Sequence, residues 1–366
     1  MTKVRYSYLP QQFSHPDEIF EELNQLVSSG DFTLGDPVAK FESRFADLIG
    51  VKHAVGVGSG TDALKLAMRG LGLGSGDEVI TAANTFVATV GAINEIGCRI
   101  ILVDCDDSFC IDPSAIEEAI SPRTRAIVPV HLTGDVANMP MIMEIAVRHN
   151  LMVIEDACQG ILASFDGRQA GTWGMAAGFS LHPLKNLNVW GDGGIVVTDD
   201  ADLDKSLRLL RNHGLRNRNE IEVLGYNSRL DSVQAVVGNW LIDQTESITA
   251  TRIDNARYYD RAFKGIPQIK VPIRRENVKH VYHLYEVFAE NRDELLRHCL
   301  NEGIEAKVHY PIPLYQQDGL KFLGHAPGDF PVTDRHAASV ISFPVDQHLS
   351  RMEQDTVINA VENFYG

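Results

Sequence analysis

The stretch GFSLHPLKNLNVWGDGGIVVT, residues 178–198, sets one cation, Lys185, between an apolar run and a Gly191-Asp192-Gly193-Gly194 turn that feeds a β-branched segment. Both flanks read as buried strands, and the same pattern runs outward from them. The runs HAVGVGS, DEVITAA, CRIILVD, RAIVPVHL and LMVIED precede AAGFSLH and GGIVVTD. Helical-period segments such as TDALKLAMRGL, TFVATVGAINEIG and MPMIMEIAVRHN separate several of them. Continuous apolar strands alternating with helices predict an α/β domain, a mostly parallel seven-stranded sheet covered on both faces.

After residue 245 the rhythm changes. A long helical stretch ends near Phe263, VYHLYEVFAE alternates like an antiparallel strand, and RMEQDTVINAVENFY closes the chain as a helix. The expected organisation is an N-terminal arm over 1–14, a large domain over 15–245 and a smaller α+β domain over 246–366. Prolines 311, 313, 327 and 331 with glycines 319, 324 and 328 mark an irregular segment of the kind that lines sites.

Composition narrows the function classes. The 366 residues carry 33 Lys+Arg against 49 Asp+Glu, a net charge of −16 that opposes attraction to nucleic acid or anionic membrane. No segment approaches the roughly 18 uninterrupted apolar residues of a membrane span, and the first residues lack an apolar leader core. Five cysteines without CxxC spacing suit a reducing, cytoplasmic setting. No metal-ligand spacing, Walker A lysine or G-x-S-x-G elbow is present.

Three local features bear on chemistry, and each also has a plain structural reading. Gly58-Ser59-Gly60-Thr61 leads a strand into a helix whose free N–H groups suit a phosphate, although any tight turn there needs glycine. It does not fit the G-x-G-x-x-G dinucleotide fingerprint. Asp156 ends a strand where an α/β sheet binds ligands, or else caps the next helix. Lys185 is either a snorkelling surface side chain or a desolvated nucleophile. Pyridoxal phosphate needs a reactive lysine, an acid beside its pyridinium nitrogen and a phosphate cup, and the chain offers all three at expected strand ends. Asn227 and Arg229 stand in a turn before a long helix, which they can simply cap.

Taken together, GSGTDAL, NTFVAT, EDACQG, FSLHPLKNLNVWGDGG, GYNSRLDSVQA and KVHYPIPL resemble the DegT/DnrJ/EryC1/StrS sugar aminotransferases, across residues 58–314. The resemblance implies the aspartate-aminotransferase-like fold type I architecture and pyridoxal 5'-phosphate as cofactor. It makes Lys185 the cofactor-bearing lysine and proton shuttle, Asp156 the partner of the pyridinium nitrogen, Phe86 the ring-stacking residue and Gln159 the donor to the phenolic oxygen. Gly60, Thr61 and Ser180 would cup the phosphate, joined by Asn227 of a second copy, which implies a homodimer with shared sites. His309, Tyr310, Tyr315, Arg229 and His182 would meet the substrate.

Two departures bear on specificity. His182-Pro183-Leu184 replaces the Tyr-Pro-Thr or His-Ala-Thr triplet of many members, and Tyr315 stands where many carry histidine. His182, Leu184, Asn188 and Trp190 are the unusual neighbours of the lysine, expected to help choose the substrate. The implied reaction is a ping-pong transfer from an amino acid, expected to be L-glutamate, to a nucleotide-linked keto-sugar. A keto-inositol aminotransferase shares every cofactor residue, a non-catalytic sensor on the same fold remains an alternative, and a nicotinamide enzyme would rest on the Gly56–Gly60 run alone.

Overall fold

The computed structural model describes residues 3–366. Seven strands form the large sheet: β1 (His53–Val57), β2 (Glu78–Ala82), β3 (Arg99–Val103), β4 (Thr124–Val128), β5 (Met152–Asp156), β6 (Ala176–Ser180) and β7 (Gly194–Thr198). Their spatial order is β1-β7-β6-β5-β4-β2-β3. The pairs β6/β5, β5/β4, β4/β2 and β2/β3 are parallel, and β7 runs antiparallel to both β1 and β6. The expected α/β architecture is therefore present, with one reversed strand placed by the turn that follows Lys185.

Helices cover both faces because the strands are apolar on both. Phe41, Phe45, Phe179 and Ile195 are buried on one side, and Leu64, Leu66, Val55 and Val196 on the other. Burying each such side chain contributes roughly 1.5–3 kcal/mol. Glycine sets the closeness of one packing. A Cβ on Gly178 in β6 would meet Leu64 Cδ2 at 2.9 Å, so the helix Gly60–Gly70 lies directly on the strand and brings its N-terminus to the strand's end.

The second domain is built on a three-stranded antiparallel sheet, β8 (Ile269–Lys270), β9 (Tyr285–Ala289) and β10 (Val340–Phe343), in that spatial order. Two helices, Ser232–Leu241 and Thr245–Phe263, precede that sheet, separated by a 3-10 turn at Ile242–Gln244. Helix Thr245–Phe263 joins the two cores, since Ile248 packs with the large domain while Ala256, Tyr259 and Phe263 pack with the small one.

Of the expected N-terminal arm, residues 1 and 2 lie outside the described residues. Its first half folds onto the small domain, where Val4 bridges Ile304, Tyr8 is buried with Tyr259 and Phe263, and Tyr8 Oη donates to Glu353 at 2.5 Å, while Gln12 and Phe13 reach Asn188 and Trp190 of the large domain. No helix among the described residues is long and apolar enough to cross a membrane.

Candidate active site

A cavity of about 380 Å³ opens between the two domains. The carboxyl ends of β5 and β6 and the N-terminus of helix Gly60–Gly70 form its floor, through Asp156, Ser180 and Gly60. Thr61, Phe86, Gln159, His182, Lys185, His309 and Tyr310 also line it. The structure thus gathers most of the expected site residues from five separated stretches of chain.

The cup is made by close backbone approach. A Cβ on Gly60 would meet Ser180 Cβ at 2.7 Å and Cys158 Sγ at 3.0 Å, and one on Gly194 would meet Ser59 O at 2.2 Å. Ser59 caps the helix by accepting from Asp62 N. The first turn of that helix keeps N–H groups without intrahelical partners, at the positive end of the helix dipole, so the cup favours an anion.

Asp156 is 4% exposed, and both its oxygens are held. Thr89 Oγ1 donates to Oδ2 at 2.7 Å and Cys158 N to Oδ1 at 3.1 Å. Gln159 is also fixed: its Oε1 accepts from Thr133 N at 2.7 Å, which leaves its amide nitrogen free to donate. Phe86 stacks on Tyr310, ring centres 5.8 Å apart, and remains 47% exposed at the cavity rim.

Lys185 has no carboxylate within ion-pair distance among the described residues. Burial pushes its pKa below the ordinary value, with Cys158 and Asp156 acting weakly the other way. Desolvation also pushes His309 down to about 4, so its ring is neutral at neutral pH. Its Nδ1 lies 2.8 Å from Ser342 Oγ, which donates to Glu286 Oε1 at 2.9 Å. That network assigns the His309 proton to Nδ1 and leaves Nε2 as an acceptor.

An amine poised to lose its proton, a held carboxylate and an anion cup that any Cβ would fill are the three features that pyridoxal phosphate requires. The residues present fit that cofactor.

Tyr315, Arg229, Asn188 and Trp190 lie outside the cavity they were expected to line, and Asn227, expected to serve a second copy, lies outside it too. Tyr315 does not line the cavity: its ring is 1% exposed against Phe330, and its hydroxyl donates to Asp334 at 2.6 Å. The 3-10 turn Leu314–Gln316 holds it buried, outside the cavity lining. Arg229 donates to Asn212 Oδ1, and exposed Asn227 bridges Asn212, so both lie outside the cavity of their own chain. Asn188 and Trp190 are supports: Asn188 donates to Lys185 O at 2.8 Å and accepts from Gln12, while Trp190 packs on Phe13 and Phe20. Among the four unusual neighbours only His182 and Leu184 face the cavity.

Other lining residues were missed in the sequence: Tyr6, Ser7, Arg252, His283, Lys307 and Asp346, all from the arm or the small domain. The histidine in VYHLYEV was the one visible signal, a polar residue just ahead of an apolar strand.

The family model for the DegT/DnrJ/EryC1/StrS aminotransferases matches residues 14–362. The chain is 41% identical to UDP-N-acetyl-3-dehydro-alpha-D-glucosamine 3-aminotransferase of Acidithiobacillus ferrooxidans, over 97% of this chain and 94% of the relative. A crystal structure of Streptomyces venezuelae DesV in complex with a ketimine intermediate superposes with a TM-score of 0.97 at 38% identity, covering 100% of this chain and 99% of that one. A structure of NtdA from Bacillus subtilis with bound cofactor PMP gives a TM-score of 0.91 at 30% identity, covering 99% of this chain and 85% of that one. The chain belongs to the DegT/DnrJ/EryC1/StrS aminotransferase family.

Proposed function

We propose that this sugar aminotransferase moves an amino group from L-glutamate to a keto-sugar carried on a nucleotide diphosphate, using pyridoxal phosphate bound to Lys185. The observation that carries the reading is the meeting of Lys185, Asp156 and the Gly60 cup in one cavity. The relative that acts on a UDP-linked sugar supports the nucleotide carrier.

The cofactor, when bound, supplies an aldehyde that takes up amines and a ring that withdraws electrons from the carbon losing a proton. The chain's residues do the rest. Gly60, Thr61 and Ser180 would hold the phosphate, Asp156 would pair with the ring nitrogen, and Gln159 would donate from its fixed amide. Phe86 would cover the ring and shield one face from water. Lys185 Nζ, its pKa lowered by burial, would take the proton from the reacting carbon and return it to the carbon on the other side of the transferred nitrogen. His309 Nε2 and Tyr310 receive sugar hydroxyls, and His182 and Leu184 shape the approach.

Asn227 is exposed and outside its own cavity, which supports a homodimer in which it completes the phosphate cup of the second copy. Arg229 beside it is offered to the same neighbour. All five cysteines are free, four of them buried, which supports work in the reducing cytoplasm.

Borohydride treatment of the loaded enzyme should fix a pyridoxyl group on the peptide holding Lys185, and L-glutamate should convert the cofactor to its amine form. Lys185→Ala should lose both signals. Turnover at a normal rate in Lys185→Ala would sink the reading, and a preference for free keto-inositols over nucleotide-linked ketones would move the substrate to cyclitols.

A further inference from the structure

Lys185 Nζ has one polar partner within hydrogen-bond distance among the described residues: His283 Nε2, at 3.4 Å. His283 belongs to the segment entering β9, and it lines the same cavity.

Its backbone is clamped on both sides. Asn186, the chain neighbour of Lys185, donates to Val281 O at 3.0 Å. Val281 N donates to Gly134 O at 2.8 Å and Leu284 N to Thr133 O at 3.1 Å. Gly134 sits at φ +97°, and a Cβ there would meet His283 N at 2.8 Å, so only glycine permits this approach without strain. Arg252 Nη1 donates to the carbonyl oxygen of Tyr282 at 3.2 Å. The lysine and the imidazole are thus held to one another through the backbone and not only through their own contact.

The surroundings decide the charge of the pair. Lys185 and Arg252 face His283 with cationic groups, His309 and His182 face it as imidazoles whose own pKa values burial lowers, and Asp156 and the Cys158 thiol face Lys185. Burial first, and then those cations, hold His283 well below its ordinary pKa. Its Nδ1 has no partner among the described residues, so a proton there is unmatched in either form, and an imidazolium would add a second N–H at Nε2 pointed at the Lys185 ammonium. A neutral ring has one lone pair to offer, and at Nε2 that lone pair meets the lysine.

We propose that His283 is a positioning residue for Lys185, accepting a hydrogen of Nζ at Nε2 so that the amine stays aimed into the cavity and its protonated form keeps an acceptor. The catalytic meaning rests on Lys185 being the cofactor lysine, whereas the contact exists in the chain without cofactor. Lys185 alternates between neutral and protonated forms in that reaction, and the imidazole serves the second.

The test uses the full chain without cofactor. Acetylation of Lys185 by acetic anhydride, read peptide by peptide across pH, gives the ionisation midpoint of this amine. In His283→Leu the midpoint should fall by about one pH unit, since one hydrogen bond to the ammonium is lost. In His283→Gln, whose amide oxygen can accept, it should stay within about 0.3 unit. A midpoint that is unchanged or higher in His283→Leu overturns the proposal, because the histidine then either does not touch the amine or repels it.

Nitrogen NMR of the unsubstituted protein needs no His283 variant to fold. The imidazole should be neutral with its proton on Nδ1, and the Nε2 resonance should move as Lys185 titrates and stop moving in Lys185→Met; a proton on Nε2 overturns the assignment. In the loaded enzyme the half-reaction with L-glutamate should slow about tenfold in His283→Leu with KM little changed, and added imidazole should restore part of it. Should borohydride fail to trap a pyridoxyl group on Lys185 in the unsubstituted enzyme, the functional reading falls while the labelling result stands.

Discussion

Thr89 Oγ1 donates to Asp156 Oδ2 at 2.7 Å, and Thr85 Oγ1 lies 2.7 Å from Thr89 Oγ1, so two hydroxyls at the start of helix Val87–Glu95 brace the buried carboxylate. With Cys158 N on the other oxygen, Asp156 is kept in one orientation and still has lone pairs facing the cavity. Hydrogen bonds to a charged acceptor contribute about 1.5–3 kcal/mol. Thr89→Val keeps the shape and removes the bond. Steady-state assays at saturating cofactor should show kcat/KM lower by roughly tenfold or more, and an unchanged value would mean that Asp156 needs no such brace.

Gly60→Ala tests the cup. Alanine favours helix over glycine by about 1 kcal/mol, yet here its Cβ would press on Ser180 Cβ at 2.7 Å. The clash should win, because Ser180 belongs to β6 and cannot move without the sheet. Titration of the apoenzyme with pyridoxal phosphate should show half-saturation raised at least about tenfold. An unchanged titration would place the phosphate elsewhere.

The parallel sheet was legible because strands buried on both faces leave continuous apolar runs, and the gathering of Gly60, Asp156 and Lys185 in one cavity was legible because each sits at or just beyond a strand end. What stayed hidden follows from tertiary structure. Tyr6, Arg252 and His283 reach the cavity from the arm and the small domain, and no local pattern says that Val4 will pair with Ile304 or that Gly134 will admit the backbone of His283. Asn188 and Trp190 stood beside the lysine in sequence, but adjacency does not give direction: their side chains point to Gln12 and Phe13.

Glu286 predicts a pH dependence of stability. Burial raises its pKa from 4.5 to about 8, and its Oε2 has no partner among the described residues, which is tolerable for a neutral acid and costly for a carboxylate. Between those two values the folded chain holds a proton that the unfolded chain has lost, so its contribution falls as pH rises from 4.5 through 8. Glu286→Gln removes this loss while keeping an acceptor for Ser342. Chemical denaturation should find the variant more stable at pH 8 by an amount on the order of 2–4 kcal/mol and near parity at pH 4.5. His309 works in the opposite sense, losing stability as pH falls from 6.5 toward 4, but it does so in both proteins and cancels in the difference. An equal gap at both pH values would refute the assignment.

Tyr315 separates support from recognition. Its hydroxyl donates to Asp334 and accepts from Gln316 Nε2 at 2.9 Å, tying the irregular segment before helix Pro331–Ser339 to that helix. Tyr315→Phe keeps the buried ring and deletes these two bonds and a third, accepted from Gly328 N at 3.3 Å. The expected cost is about 1–2 kcal/mol of stability, with KM for donor and acceptor unchanged because the hydroxyl never reaches the cavity. His182→Ala, on the cavity wall, should give the reverse: a changed acceptor KM with little loss of stability. Thermal melts and initial rates on the two variants decide the matter. A Tyr315→Phe enzyme that melts normally but binds its sugar poorly would return this tyrosine to the substrate site, and the inward turn at Leu314–Gln316 would then have to open when the ligand binds.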